Sequence, residues 1–222
     1  MNALRALLLK ELRAEWRTKE LLSALAVFGI LELVVFNFAF PPGVREMNLL
    51  TPGILWSSFL FAGILGLNRS LAREKEEGCL YGLLLTPVDR GVLFLAKMLA
   101  NLLFLLLTEA FLVAIFALFF SVELGPIWGR LALVSVLGSL GFCSIGTLLA
   151  AMSVQSRYQE VLLPVLLIPL ASPILMSAVK ALSATLGTTD ASSWDFWIKF
   201  LLTFDAVFVI VSYLGFEYVV QE

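Results

Sequence analysis

The chain has 222 residues, 60% of them hydrophobic and 14% charged, and its mean hydropathy of +0.98 lies outside the range of soluble globular domains. A net charge of −2 gives no basic footprint for nucleic acid, so none is expected as a partner. The sequence contains no histidine, which removes the commonest metal ligand and general base, and no G-x-x-x-x-G-K-[ST] phosphate loop.

In chain order, the first element expected is an interfacial helix over the N-terminal 20 residues. Leu4, Leu8, Leu12 and Trp16 recur at helical spacing among five cations, Arg5, Lys10, Arg13, Arg17 and Lys19, although Arg5 and Glu15 intrude on that face. The stretch superficially resembles a secretory leader. The apolar run after Glu20 is too long for a leader core, and "FPPGV" offers no small-residue cleavage site, so the segment is expected to be retained.

Six apolar runs can each span a ~30 Å hydrocarbon core as a helix of about 20 residues. They cover residues 21–40, 52–69, 91–120, 130–152, 161–182 and 199–219. The runs are continuous, without the alternation of a barrel. The expected fold is therefore all-α and integral to the membrane, with one transmembrane domain over 1–222. The third run is long enough to tilt or to emerge from the bilayer.

Glu32, Glu109 and Asp205 fall inside apolar runs. A carboxylate at a helix centre costs about 2.5–3.5 kcal/mol on insertion scales, which the surrounding Leu, Ile, Phe and Val offset. These three are candidates for a polar lining or interhelical bonds, against the plainer reading of carboxyls with no mechanistic role. In the fourth run, Ser135, Ser139, Cys143, Thr147 and Ala151 recur every four residues. That stripe points to close helix packing rather than a substrate path. Cys143 is then a small core residue in a setting different from that of Cys79, which argues against a disulfide. The fifth run opens with Pro164 and carries Pro169 and Pro173 inside it, where each removes a backbone donor and invites a broken, cavity-lining helix. The following "LSATLGTTDASSWDFWIKF" reads as a re-entrant segment or an ordinary loop.

Lys and Arg set the orientation. Ten of them (Arg5, Lys10, Arg13, Arg17, Lys19, Arg69, Arg73, Lys75, Arg90 and Arg157) share one side, against four (Arg45, Arg130, Lys180 and Lys199) on the other, with Lys97 inside the third run. Both termini are thus expected in the cytoplasm. Trp56, Trp128, Trp194 and Trp197 are candidates for the opposite aromatic belt.

The segment "REKEEGCLYGLLLTPVDR", between the second and third runs, is then cytoplasmic. Glu74, Glu76 and Glu77 sit at its start, where a helix N-terminus favours anions. Gly78 follows. Leu80, Leu83 and Leu84 share one helical face, and Thr86-Pro87 ends the helix. A short helix with acidic entry and leucine face suits a groove in a partner protein. Its acidity disfavours an anionic lipid surface.

These residues, with "LAKMLANLLFLLL" after them, resemble the coupling segment of ABC-2-type exporter membrane subunits. The blocks "PGILWSSFLFAGILGLNRSLAREKEEGCLYGLLLTPVDR" and "SRYQEVLLPVLLIPLASPIL" are similar, more narrowly, to the haem exporter protein B family. Tyr81 and Cys79 depart from the acidic residue and the Thr or Ala that broader relatives often carry there. The resemblance implies the permease subunit of a bacterial inner-membrane ABC transporter in cytochrome c maturation, and not itself an enzyme. It implies ATP bound on a separate cytoplasmic ATPase subunit, coupled through Glu74, Glu76, Glu77, Gly78, Leu80, Leu83, Leu84, Thr86 and Pro87. Further implied partners are a haem-handling membrane subunit, a small single-span subunit, a periplasmic haem chaperone and a second copy of the chain. Haem is the implied cargo; without histidine, tight ligation of it is not expected. An ABC-2-type exporter of lipid, glycan or drug is the nearest alternative. A secondary transporter would need midplane ion groups and often a repeat, and an intramembrane hydrolase would need a histidine for its usual pairings.

Overall fold

A computed structural model describes residues 2–39, 47–76, 89–120, 125–154, 156, 158–188, 190 and 192–219. The described residues form seven helices: α1 (Asn2–Thr18), α2 (Glu20–Ala39), α3 (Met47–Glu76), α4 (Arg90–Phe120), α5 (Trp128–Ser153), α6 (Gln159–Thr185) and α7 (Ser193–Val219). Six stretches, α2, Leu49–Ser70 within α3, and α4 to α7, are long and apolar enough to cross a membrane. The all-α membrane fold is therefore as expected, with helix ends close to the predicted runs. At 1.5 Å per residue, the 31-residue α4 reaches about 46 Å and so outruns a ~30 Å core.

Polar ties fix which helix ends lie together. At one end, Arg69 of α3 pairs with Glu20 of α2 at 3.2 Å. The Gln159 amide that opens α6 donates to the Asn68 carbonyl at 3.4 Å, and Arg90 of α4 donates to the Glu217 carbonyl of α7 at 3.4 Å. At the other end, the Asn37 amide of α2 donates to the Phe119 carbonyl of α4 at 3.1 Å, satisfying a carbonyl that the helix end leaves free. There too the Arg130 guanidinium of α5 lies 5.2 Å over the Trp194 ring of α7. The spans therefore alternate up and down, and α1 and the last turn of α7 share one end.

The core is built along α5. Helices α3 and α5 run parallel and interlock through three glycines. The Trp56 ring sits on Gly138, Phe142 sits on Gly63, and Leu67 sits on Gly146, so a Cβ at any of these glycines would overlap its partner side chain. Lipid supplies no hydrophobic drive between helices, so such close seams carry the packing. One core cluster joins Leu67, Phe94, Phe142, Leu163 and Phe216 from five helices. A second, nearer the Arg130 end, joins Leu33, Trp56, Leu112, Val134, Leu182 and Ile198 from six.

Two expectations change. Trp56 is not a belt residue: it is 3% exposed and edge-on to Phe59, with centroids 5.4 Å apart, because Gly138 leaves room for its ring inside the bundle. Trp128, exposed, and Trp194, beside Arg130, do lie at that end. The second change concerns α6, which runs unbroken from Gln159 to Thr185. Pro173 has no N–H to offer the Pro169 carbonyl, and the Ser172 hydroxyl donates to that carbonyl instead, at 2.7 Å. Hydroxyls re-satisfying freed carbonyls let proline remain inside a membrane helix. Most of the stretch after it is helical: residues 182–185 belong to α6 and residues 193–200 open α7. Gly187, at φ 72°, closes α6 with bonds from Gly187 N to Ala184 O (3.4 Å) and Thr188 N to Ser183 O (3.0 Å), the two bonds of a Schellman cap.

Gly138→Ala should lower stability in detergent by about 1–3 kcal/mol, the usual cost of overpacking, since the Trp56 ring must shift. Gly129→Ala, at a site with nothing within 4 Å, should change it little. Thermal melts of the two variants compare them directly, and equal melting points would contradict the seam.

Candidate functional site: polar contacts inside the span bundle

Helix α5 carries polar contacts on opposite faces. Towards α4, all five residues of the small-residue stripe are buried, as close packing requires. The Ser139 hydroxyl donates to the Glu109 carboxylate of α4, and the Asn101 amide of α4 donates to Thr147 Oγ1 at 3.1 Å. On the opposite face, Gly141 lets the Asp205 carboxyl of α7 and Ile174 of α6 approach the α5 backbone. Asp205 is 3% exposed, and neither of its carboxyl oxygens has a hydrogen-bond partner among the described residues.

Glu32 stands apart. It is half-buried and accepts from Ser57 Oγ of α3 at 3.1 Å. The three intramembrane carboxyls thus serve three different helix pairs and do not converge. Glu109 and Glu32 each accept an interhelical hydrogen bond; Asp205 is a buried carboxyl held by packing. No group of three or more His, Cys, Asp or Glu able to hold a metal occurs among the described residues. A small crevice of about 10 Å³ lies between α2, α3, α4 and α5, lined by Leu25, Gly63, Gly66, Asn101, Phe104 and Cys143, with Asn101 its main polar group. Cys143 is a free, buried thiol.

At the end holding Glu20 and Arg69, α1 is packed on the protein. Leu8 and Leu12 pack against a cluster of Leu21, Leu25, Ala100 and Phe104, whereas Trp16, expected on the same face, is 74% exposed. The helix turns its Leu4–Leu8–Leu12 side inward, and Glu15, which seemed an intruder, belongs there. It is 5% exposed and accepts from the Leu22 backbone N–H at 3.0 Å, capping the start of α2. Glu11 pairs at 3.4 Å with Lys97 of α4, a lysine 3% exposed. Both ties were missed in the sequence, because their partners lie on other helices; Lys97 inside an apolar run was the available signal. Asp89 caps α4, accepting from Gly91 N at 2.7 Å.

The proposed coupling residues Glu77, Gly78, Leu80, Leu83, Leu84, Thr86 and Pro87 lie outside the described residues, as do Cys79 and Tyr81. Glu74 and Glu76 fall in the last turn of α3.

Six apolar helices joined by buried interhelical polar bonds define a multi-span helical membrane protein. Residues 2–221 match the family described as CcmB protein. The chain is 30% identical over 200 residues to Heme exporter protein B of Pseudomonas aeruginosa, spanning 90% of this chain and 89% of that protein. It is 32% identical over 157 residues to Heme exporter protein B of Haemophilus influenzae, 71% of each chain, and 28% identical over 178 residues to that of Paracoccus denitrificans, 80% and 81%. The chain belongs to the CcmB, or haem exporter protein B, family, as its sequence blocks implied.

The Glu109–Ser139 bond predicts a graded series. Glu109→Gln keeps an acceptor oxygen and should leave stability nearly unchanged. Glu109→Leu should cost about 0.6 kcal/mol and at most about 1.7, the range for interhelical bonds in membranes. Adding Ser139→Ala to Glu109→Leu should cost no more than Ser139→Ala costs alone. Reversible unfolding in mixed micelles measures all four variants.

Proposed function

We propose that this chain is the permease subunit of an ABC transporter acting in cytochrome c maturation, coupling ATP hydrolysis on a separate subunit to haem delivery or to release of a haem-loaded chaperone. The observation that carries the reading is the family match over residues 2–221, supported by relatives named as haem exporters along most of their length. The six spans supply a membrane domain, and no ATP-binding phosphate loop stands in the sequence. A cytoplasmic ATPase, a haem-handling membrane subunit, a small single-span subunit and a periplasmic chaperone complete the system. Two copies of the chain would face a pair of ATPase subunits, each copy contributing one coupling helix.

The end of the bundle that gathers α1, Arg69, Arg90 and the last turn of α7 is the one rich in cations, so the positive-inside bias assigns it to the cytoplasm of a bacterial inner membrane. The segment joining α3 to α4 emerges there. Its leucine face, Leu80, Leu83 and Leu84, docks in a groove of the ATPase, and Glu74, Glu76 and Glu77 before it orient that docking.

Burying one leucine at an interface contributes about 1.5–3 kcal/mol. Replacing Leu83 and Leu84 together with Asp should abolish co-purification of the ATPase and holo-cytochrome c formation, with the subunit still in membranes, because the pair lies outside the spans. Glu76→Ala should do less, as a rim charge mainly tunes encounter. Native mass spectrometry of the wild-type complex should count two copies of this chain per ATPase pair. Normal ATPase recruitment and cytochrome maturation by the double variant would sink the coupling role.

Topology has its own check. With Cys79 and Cys143 replaced, Asn48→Cys and Ser192→Cys should label with an impermeant reagent from outside the cell. Labelling of Thr86→Cys from outside would reverse the orientation.

A further inference from the structure

Helix α1 has two faces of unlike charge. At ~100° per residue, Leu4, Leu7, Leu8, Glu11, Leu12 and Glu15 fall on one side, and Arg5, Leu9, Lys10, Arg13, Trp16 and Arg17 fall on the other. Of its only two acidic residues, Glu11 pairs with Lys97 at 3.4 Å and also with Lys10 at 3.5 Å, and Glu15 accepts from the Leu22 N–H at 3.0 Å. Lys10, at the edge of the arc, is thus paired, and the rest of the arc carries the positive charge of Arg5, Arg13 and Arg17 around two exposed apolar side chains, Leu9 at 40% and Trp16 at 74%.

Two constraints fix where that arc lies. Lys19, at φ 54°, is the single residue between α1 and span α2, and its N–H donates to the Glu15 carbonyl at 2.6 Å. Lys97 lies seven residues into α4, about 10 Å along a helix that outruns the hydrocarbon core. Both ends of the tether thus meet the protein at the hydrocarbon boundary, and α1 cannot swing into bulk solvent while they hold.

We propose that the outward arc of α1, namely Arg5, Arg13 and Arg17 with Trp16 and Leu9, is a docking surface for anionic phospholipid. The guanidinium groups contact lipid phosphates, Trp16 sits at headgroup level, and Leu9 enters the acyl boundary. The inward acids leave no carboxylate on the arc to repel the headgroups. The protein is thereby bound to lipid through the face opposite the one that a simple leucine stripe would choose.

Trp16 supplies the readout. The full-length protein is placed in nanodiscs containing phosphatidylglycerol and phosphatidylethanolamine in equal amounts, with one or the other brominated on its acyl chains. The Trp16 signal is the difference between wild type and Trp16→Phe. Brominated phosphatidylglycerol should quench it roughly threefold or more beyond brominated phosphatidylethanolamine, from the attraction of basic residues to an anionic surface. The Arg5→Gln, Arg13→Gln, Arg17→Gln triple variant should lose that preference, and the corresponding triple Lys variant should keep it. All three positions are exposed, so the variants should insert and fold, which an unchanged thermal melt checks. Equal quenching by both lipids in the wild type would overturn the proposal. So would a triple Gln variant that keeps its lipid preference while losing co-purified ATPase, which would assign the arc to a partner protein.

Discussion

Helices in lipid gain little from hiding apolar surface, since the solvent is itself apolar, so this bundle depends on how closely its backbones approach. The seam between α3 and α5 is where that requirement is strictest. Trp56, Phe142 and Leu67 each fill the space left by a glycine on the facing helix, and the direction of insertion alternates along the seam. Sliding one helix past the other would drive a ring into backbone. With α5 so held, its remaining faces are free to take polar contacts from α4 and the approach of Asp205 from α7.

The polar bonds refine that packing. Glu109–Ser139 and Asn101–Thr147 both join α4 to α5, eight residues apart on each helix. An antiparallel pair keeps two such bonds only in one register, because a slip of one turn would break both. The apolar seam sets distance, and the hydrogen bonds set register. The same division holds at the edge of the bundle. Helix α2 buries Leu21, Leu25, Gly29 and Leu33, one residue per turn, and Glu32–Ser57 and Asn37–Phe119 fix its height.

Spans, their order and the small-residue stripe were legible in the sequence, because span length and four-residue spacing are properties of one helix. What was not legible depended on a second helix. Nothing local distinguishes Trp56 from a belt tryptophan until Gly138 stands opposite it. Glu15 looks misplaced on a leucine face until the start of α2 offers it an N–H. Glu32, Glu109 and Asp205 were recognisable as costly, and their separation onto three helix pairs could come only from the fold.

The seam also bears on how the proposed coupling would act. Helices α3 and α4 are the two that lead into the segment between residues 76 and 90, and they hold α5 from two sides, α3 through interlocked side chains and α4 through two hydrogen bonds. Packed side chains transmit displacement because interiors are close to incompressible. A push delivered where α3 ends and α4 begins would thus move α5 as a rigid rod rather than bend it. Helix α2 would be carried with them, since it is tied to α3 through Glu20–Arg69 and Glu32–Ser57 and to α4 through Asn37–Phe119.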